Sequence, residues 1–387
     1  MSPAKPSLEL LRSLTDEHVL RALIDQRRLT RAEIAARTGI SKPTVGESVR
    51  RLTEAGLLRD TGERTTGRGR IGTYYGLADD LGVALVVGVA PEGVVAEAVD
   101  VHGQVIARER EEVGRPAQSE QVARALRVVA ERALAGGAGP ARLAVVSAAD
   151  PVDRTTGRLV HLPDAPFLVG ALSPVEVLSP LVAGPVTVDN DVNWAARAER
   201  AAADPGELED FAYLYLGEGL GCAIVADGEV RRGAGGLAGE IAHLLTCGPG
   251  GRAVTFTEVF AELQLRRPSS TAIDVPALLS AVDTGGDPAT GVLATLADAV
   301  CGVLAAVVAL TDPQFVVVGG TWGTCPVVLQ AVSDRSGRLP RSALVRAASV
   351  TSEPSLTGAR HQALRDLRAV ILTQGSARPD AGPASAG

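Results

Sequence analysis

Apolar residues recur at helical spacing near the start of the chain. Val19, Leu20, Leu23 and Ile24 share one face and predict a helix from about Asp16 to Gln26. Thr30 then stands three residues before Glu33, a pair that closes a helix start from both sides, with Ile34 turned inward. Gly39 can adopt the left-handed conformation that ends this second helix. Ser41 opens a third, with Pro43 in the first turn, where backbone amides have no intrahelical partner. Val45, Val49 and Leu52 form its buried stripe. Helix, short glycine-containing turn, helix is the arrangement that lays its later helix in a DNA major groove. Past Gly56, the segment Leu57–Leu77 reads as a β-wing with the tip Thr66-Gly67-Arg68-Gly69-Arg70.

The groove-facing positions of the third helix are then Lys42, Thr44, Glu47, Ser48 and Arg51, with Arg50 near the backbone. Lysine and hydroxyls reach phosphates or base edges, and Glu47 can accept from cytosine. Arg68 and Arg70 in the wing tip suit phosphates or a minor groove. The same pattern also fits a small helical protein-interaction domain with a basic hairpin. Charge bears on the choice. Residues 1–78 carry fourteen lysines and arginines against nine acids, whereas the rest carries twenty-four against thirty-six. A basic head on an acidic body points to a polyanionic partner for the head, namely double-stranded DNA.

From Leu81 onward, short β-like runs (Val83–Val89, Val94–Val99, Leu143–Val146, Val186–Val188, Phe211–Leu216, Cys222–Val225, Phe315–Val318) alternate with helical stretches (Gln118–Ala135, Asn193–Ala203, Leu293–Leu310, Thr357–Leu372). Such alternation predicts a layered α/β body over 81–374, after a winged head at 1–78 and before a disordered Gly/Ala/Pro/Ser-rich tail at 375–387. The longest apolar run, Ala299 to Leu310, is about a dozen residues, short of the ~20 a membrane span needs, and reads as a core helix. Four cysteines without a pairing pattern, and no basic-then-apolar start, lead one to expect a reducing, cytoplasmic setting and no membrane.

Several ordered motifs carry a more specific likeness. Asp189-Asn190-Asp191-Val192-Asn193-Trp194-Ala195-Ala196 comes first, then Tyr215-Leu216-Gly217-Glu218-Gly219-Leu220-Gly221. Asp227-Gly228-Glu229, Arg232-Gly233-Ala234 and Gly239-Glu240-Ile241-Ala242-His243 follow. Together they resemble the signature of the ROK family of repressors, open reading frames and sugar kinases, whose repressor branch carries a winged helix-turn-helix in front. The resemblance covers nearly the whole chain. It implies an actin-like ATPase fold of two lobes with sugar bound between them, and a homodimer or homotetramer.

Phosphoryl transfer needs charge-stabilising contacts around the nucleotide phosphates and a carboxylate to take the sugar hydroxyl proton. The family's first phosphate motif, Asp followed by Gly-Gly-Thr, reads Ala90-Pro91-Glu92-Gly93 here, so the Asp position is Ala90. The second, Gly-Thr-Gly, reads Gly217-Glu218-Gly219, with a carboxylate that would repel triphosphate. The adenosine-side motif survives as Val318-Gly319-Gly320, but bulky Trp322 follows. Kinase activity is therefore expected to be lost. The resemblance maps the sugar-hydroxyl contacts onto Asn190, Asp191, Glu240, His243 and Glu258, with Ala242 in place of a family glycine. Ser147 to Asp153 also stands where the family is richer in glycine. Asn190 and Asp191 can equally be caps of the helix that follows, and Glu240 and His243 a surface pair. Of the family's zinc cluster only His243 and Cys247 remain, with Phe256 where a cysteine would lie, so no zinc and no cofactor is expected. These features favour a repressor controlled by a sugar or sugar-phosphate effector and acting on a palindromic operator. A sugar kinase with a DNA-binding head, or a dimerisation module without ligand, is the alternative.

Overall fold

The computed structural model describes residues 8–66, 71–137, 139–162, 167–283 and 291–376. The head consists of α1 (Leu8–Gln26), β1 (Arg28–Thr30), α2 (Arg31–Thr38), α3 (Lys42–Glu54), β2 (Leu58–Arg64) and β3 (Thr73–Leu77). The strands form a sheet in the order β1-β3-β2. α1 starts earlier than the apolar repeat indicates, because its added residues Leu10, Leu11 and Leu14 remain exposed and extend no buried stripe. α2 is closed at its start by Thr30 and Glu33. The Thr30 amide donates to the Glu33 carboxylate at 2.7 Å and the Glu33 amide to the Thr30 hydroxyl at 3.3 Å. At its end Gly39 takes φ 72°, a conformation that costs a Cβ-bearing residue.

The body contains two sheets with the same plan. In the first lobe β4 (Val83–Ala90), β5 (Gly93–Val99) and β6 (Val105–Glu111) form a meander. β7 (Ala117–Gln118), α4 (Ser119–Ala135), β8 (Ala141–Ala148), β9 (Leu168–Val169), α5 (Pro174–Leu178), β10 (Val186–Asn190) and α6 (Asp191–Ala202) follow. The sheet order is β10-β8-β4-β5-β6. In the second lobe β11 (Phe211–Leu216), β12 (Leu220–Ala226) and β13 (Glu229–Val230) repeat the meander. They precede β14 (Leu245–Cys247), β15 (Ala253–Thr255), α7 (Phe256–Glu262), α8 (Val275–Asp283), α9 (Val292–Thr311), β16 (Phe315–Gly319), α10 (Pro326–Ser336), β17 (Leu344–Ala347) and α11 (Pro354–Ser376). The order β13-β12-β11-β16-β17 is the first sheet read from its other edge. Both sheets pair their meander antiparallel and add two parallel strands on the far side of the first strand. No sequence repeat announces this duplication, because only the apolar period and the strand order are shared.

The two last helices exchange lobes. α6 follows the first sheet yet packs on β11 and β12, and α11 follows the second sheet yet packs on β4 and β8. They also pack on each other, and α11 continues to α1 of the head. One apolar core therefore runs from Leu20, Val49 and Leu52 in the head, through Leu367, Ala363 and Ala359 of α11, to Trp194 of α6. The helix reaches Ser376, past the expected boundary at 374. Its penultimate residue, Gly375, lets it press against Leu20, whose side chain would lie 2.5 Å from an added Cβ. The remainder of the expected tail, 377–387, lies outside the described residues.

α9 corrects the length argument made from its apolar run. It spans 20 residues, long and apolar enough by length and composition to cross a membrane. Its place in the core follows from packing: Leu296, Val300, Val303 and Leu304 are buried against Phe256, Phe260, Val328 and Trp322 of the second lobe.

Candidate functional site

α3 presents its outer face through its cap. The Ser41 hydroxyl accepts from the Thr44 amide at 3.4 Å and lies 2.7 Å from the Thr44 hydroxyl. Lys42, Thr44, Glu47 and Arg50 are exposed along one side. Arg50 is tied to Glu47 at 3.0 Å and to Glu54 at 2.8 Å, so its charge is partly neutralised on its own helix. Ser48 departs from its expected groove-facing place. It is fully buried, and its hydroxyl donates to Asp16 of α1. The spacing explains why: 45, 48, 49 and 52 fall on one helical face, and a serine is small enough to join the apolar stripe when a buried acceptor receives its proton. Arg51 is half-exposed and also reaches Asp16, at 2.6 Å. It braces α3 on α1 as well as edging the outer face. Arg68 and Arg70 lie outside the described residues. Two arginines outside the pattern stack on aromatic rings of β3: the guanidinium of Arg31 lies 5.0 Å from the ring centre of Tyr75, and that of Arg28 lies 5.5 Å from Tyr74. Only the fold brings β1 and the start of α2 beside β3.

The body holds a cavity of about 510 Å³ whose wall combines the β4–β5 hairpin, the end of β8, the β10–α6 junction, the β11–β12 turn and the loop after β13. The structure brings Asn190, Asp191, Glu240 and His243 together on this wall. Asn190 also caps α6: its Oδ1 accepts from the Val192 amide at 3.0 Å, while its Nδ2 donates to the carbonyls of Ala148 and Asp150, both at 3.3 Å. Capping and a place in the cavity wall thus coexist. Glu258 is not part of this wall. It is exposed and accepts from the Thr255 hydroxyl at 3.2 Å, closing the start of α7. A threonine three residues upstream, the capping spacing, was the sign of that role.

Burial raises the proton affinity of the acids on this wall. Asp191 is pushed up to about 7 by burial, with Asp150 and Glu240 adding to the rise. Glu240 is pushed up to about 7 by burial and by Asp150. Asp150 rises to about 6 through burial, and His161 offsets part of that. Asp150 was not singled out as a site residue; its signal was a charge in the Ser147–Asp153 stretch that departs from the glycine-rich family pattern.

Glu218 is held from both lobes. Arg115 of the first lobe approaches its carboxylate at 2.8 Å, and Arg267 of the second lobe contacts its other oxygen. The Glu218 carbonyl also accepts from the Ile273 amide at 2.9 Å, which fixes the turn. Trp322 does not intrude on the cavity. Fully buried, it donates its indole N–H to the Gly217 carbonyl at 2.9 Å and so pins the same turn from beneath. Neither arginine sits in a recognisable local motif, so only the fold brings them together. Among the described residues no three His, Cys, Asp or Glu side chains are grouped as a metal site requires.

Residues 12–59 match the winged helix-turn-helix DNA-binding model. The bifunctional enzyme NanE/NanK of Brucella melitensis is 31% identical over 172 residues, 44% of this chain and 32% of that protein. The xylose repressor of Caldicellulosiruptor bescii is 23% identical over 237 residues, 60% of this chain and 59% of that one. The chain thus spans about a third of the first relative's length and well under two thirds of the second's. Among solved structures, a ROK family transcriptional regulator that is a homologue of the E. coli MLC protein superposes with a TM-score of 0.59 at 18% identity, covering 95% of this chain and 99% of its own. That likeness establishes the fold: a winged head on a sugar-kinase-type, actin-like α/β body of two lobes. With the ROK family model matching residues 92–364, the chain belongs to the ROK family.

Proposed function

We propose that this protein is a cytoplasmic, DNA-binding transcriptional repressor whose hold on its operator is set by a sugar-like effector in the body cavity. The observation that carries the reading is the single apolar core linking Leu20 and Leu52 of the head, through α11, to Trp194 of α6. The first turn of α6 contributes Asp191 to the cavity wall. A ligand that draws the lobes together acts on both exchanged helices, and α11 passes that movement to α1. Effector control requires such differential affinity between two arrangements. The domain limits that suit this reading are 1–78 for the head and 81–374 for the body. Lys42, Thr44, Glu47, Arg50 and Arg51, with Arg68 and Arg70, contact the duplex. Asn190, Asp191, Glu240 and His243 contact the effector. Two copies of the chain bind a palindromic operator with half-sites about one helical turn apart.

Catalysis is absent in this reading. Ala90 supplies no carboxylate on the first hairpin, and Glu218, fixed by Arg115 and Arg267, occupies the turn that the family uses for phosphate. A carboxylate bound by two arginines stands where the family motif has a hydroxyl. One observation favours a second reading, a kinase with a DNA-binding head: Asp191, pushed up to about 7, is tuned as a general base would be. Sugar-dependent ATP turnover that Asp191→Asn abolishes would establish it.

The test of the repressor reading is duplex capture by the full chain from a random pool at low salt, followed by release with a panel of sugars and sugar phosphates. Failure to retain any duplex rejects the DNA-binding part. Retention without release by any sugar rejects effector control and leaves the body as a dimerisation module.

A further inference from the structure

The cavity wall is acidic beyond what sugar hydroxyls require. Glu92, Asp150, Asp191, Glu218 and Glu240 all line it, against Arg267 and His243 on the basic side. Arg267 is already committed to Glu218. Asp150 is 3% exposed, and its Oδ1 has no hydrogen-bond partner among the described residues. A buried carboxylate oxygen left without a donor is costly, and such groups mark places where a ligand completes the structure. Asn190 holds the Asp150 carbonyl through its Nδ2, so the position of this residue is built and not accidental. Asp150, Asp191 and Glu240 influence one another's protonation, yet they are not grouped as ligands of one metal ion.

We infer that the cavity takes an amino sugar, a hydroxyl-rich ring bearing a protonated amine, and that Asp150 receives the ammonium between Asp191 and Glu240. This rests on the effector reading of the same cavity and narrows it. A neutral sugar brings no positive charge to a wall on which acids outnumber bases. A phosphorylated sugar adds negative charge to a wall with five acids, although Arg267, bound to Glu218 through one nitrogen, keeps an unpartnered Nε. An ammonium group supplies the missing donor to Asp150 and relieves the repulsion among all three acids. The cavity lies within the range of about 300–1,000 Å³ typical of small-molecule sites.

The experiment uses the full chain, followed by thermal shift and calorimetry near neutral pH. Glucosamine, galactosamine and mannosamine are compared with their neutral parents, their N-acetyl forms and their 6-phosphates. The expected result is that one amino sugar binds at least about tenfold tighter than its neutral parent, with acetylation or phosphorylation weakening it. Asp150→Asn, which keeps the shape and removes the charge, reduces the amino-over-neutral preference to within about twofold of unity. The melting temperature of this variant without ligand shows that it is folded. Neutral and amino forms binding equally, or Asp150→Asn keeping the preference, overturns the inference and leaves the effector reading standing. No sugar of any kind binding to the wild type removes the effector reading, and the inference falls with it.

Discussion

Gly358 of α11 lies so close to the backbone of Trp194 in α6 that a Cβ at 358 would sit 1.9 Å from the Trp194 carbonyl oxygen. The two helices that exchange lobes meet at this point with no room for a side chain. The Trp194 indole on the same helix donates to the Val146 carbonyl at 2.9 Å, so α6 cannot yield without breaking a buried hydrogen bond. Gly358→Ala is therefore expected to destabilise the protein by about 2–3 kcal/mol, the upper part of the range for overpacking a close-packed core. Urea unfolding of the full chain measures it. A loss under about 0.5 kcal/mol would show that the crossing relaxes easily and is a poor route between cavity and head.

Burial of the cavity acids fixes the sign of one pH effect. Asp191 and Glu240 are raised to about 7 and Asp150 to about 6, whereas in an unfolded chain such carboxyls titrate near 4. The folded state then binds more protons between these values. The contribution is complete below about pH 4 and is lost as pH rises through 6 and 7. Asp191 interacts electrostatically with Asp150, Glu240, Tyr213 and Tyr215, and His161 offsets part of the rise at Asp150. Asp191→Asn removes the charge that burial penalises. Its melting temperature should gain on the wild type from pH 5 to pH 8, by a few degrees at the upper end. Parallel curves for the two proteins would contradict the raised proton affinity of Asp191.

The turn that carries Glu218 gives a third expectation. Arg115 and Arg267 are both substantially exposed, so the cluster they form with Glu218 is worth only about 0.5–1 kcal/mol despite its good geometry. Glu218→Thr restores the hydroxyl of the family motif but leaves Ala90 without a carboxylate. The variant should lose that small amount of stability and still show no sugar-dependent ATP turnover in a coupled assay. Turnover by the wild type itself would refute the proposal that catalysis is lost.

What could be read before folding follows from how local each signal is. Thr30 with Glu33, and Gly39, lie within a few residues of what they do, and the structure places each where the pattern puts it. Asn190 and Asp191 were visible as a motif, but not that Asn190 would serve cavity and cap at once. Ser48 was misplaced because a hydroxyl reads as polar, while its partner Asp16 is thirty-two residues away. The same distance hid Arg115 and Arg267 around Glu218 and the partnerless oxygen of Asp150, since each depends on loops that only the two sheets bring together. Glu258 was assigned by family position although its spacing from Thr255 marked a cap.

Ser48 and Lys42 separate stability from DNA contact within one helix. Ser48 is buried and donates to Asp16, which also receives Arg51 at 2.6 Å. Removing the hydroxyl leaves a buried carboxylate with one donor fewer, a loss of about 1–2 kcal/mol, while the exposed face is untouched. Ser48→Ala should accordingly lower the melting temperature, yet at a temperature where it is fully folded it should bind an operator duplex with wild-type affinity and salt dependence. Lys42 stands exposed at the start of α3, where phosphate contact positions a recognition helix. Lys42→Ala should leave stability within about 0.5 kcal/mol and reduce the slope of log affinity against log salt by about one. Fluorescence anisotropy between about 50 and 200 mM salt reads both quantities. If instead Ser48→Ala weakened binding at constant stability while Lys42→Ala did nothing, the face of α3 turned toward DNA would be the one now assigned to the core, and the placement of this helix in the groove would be wrong.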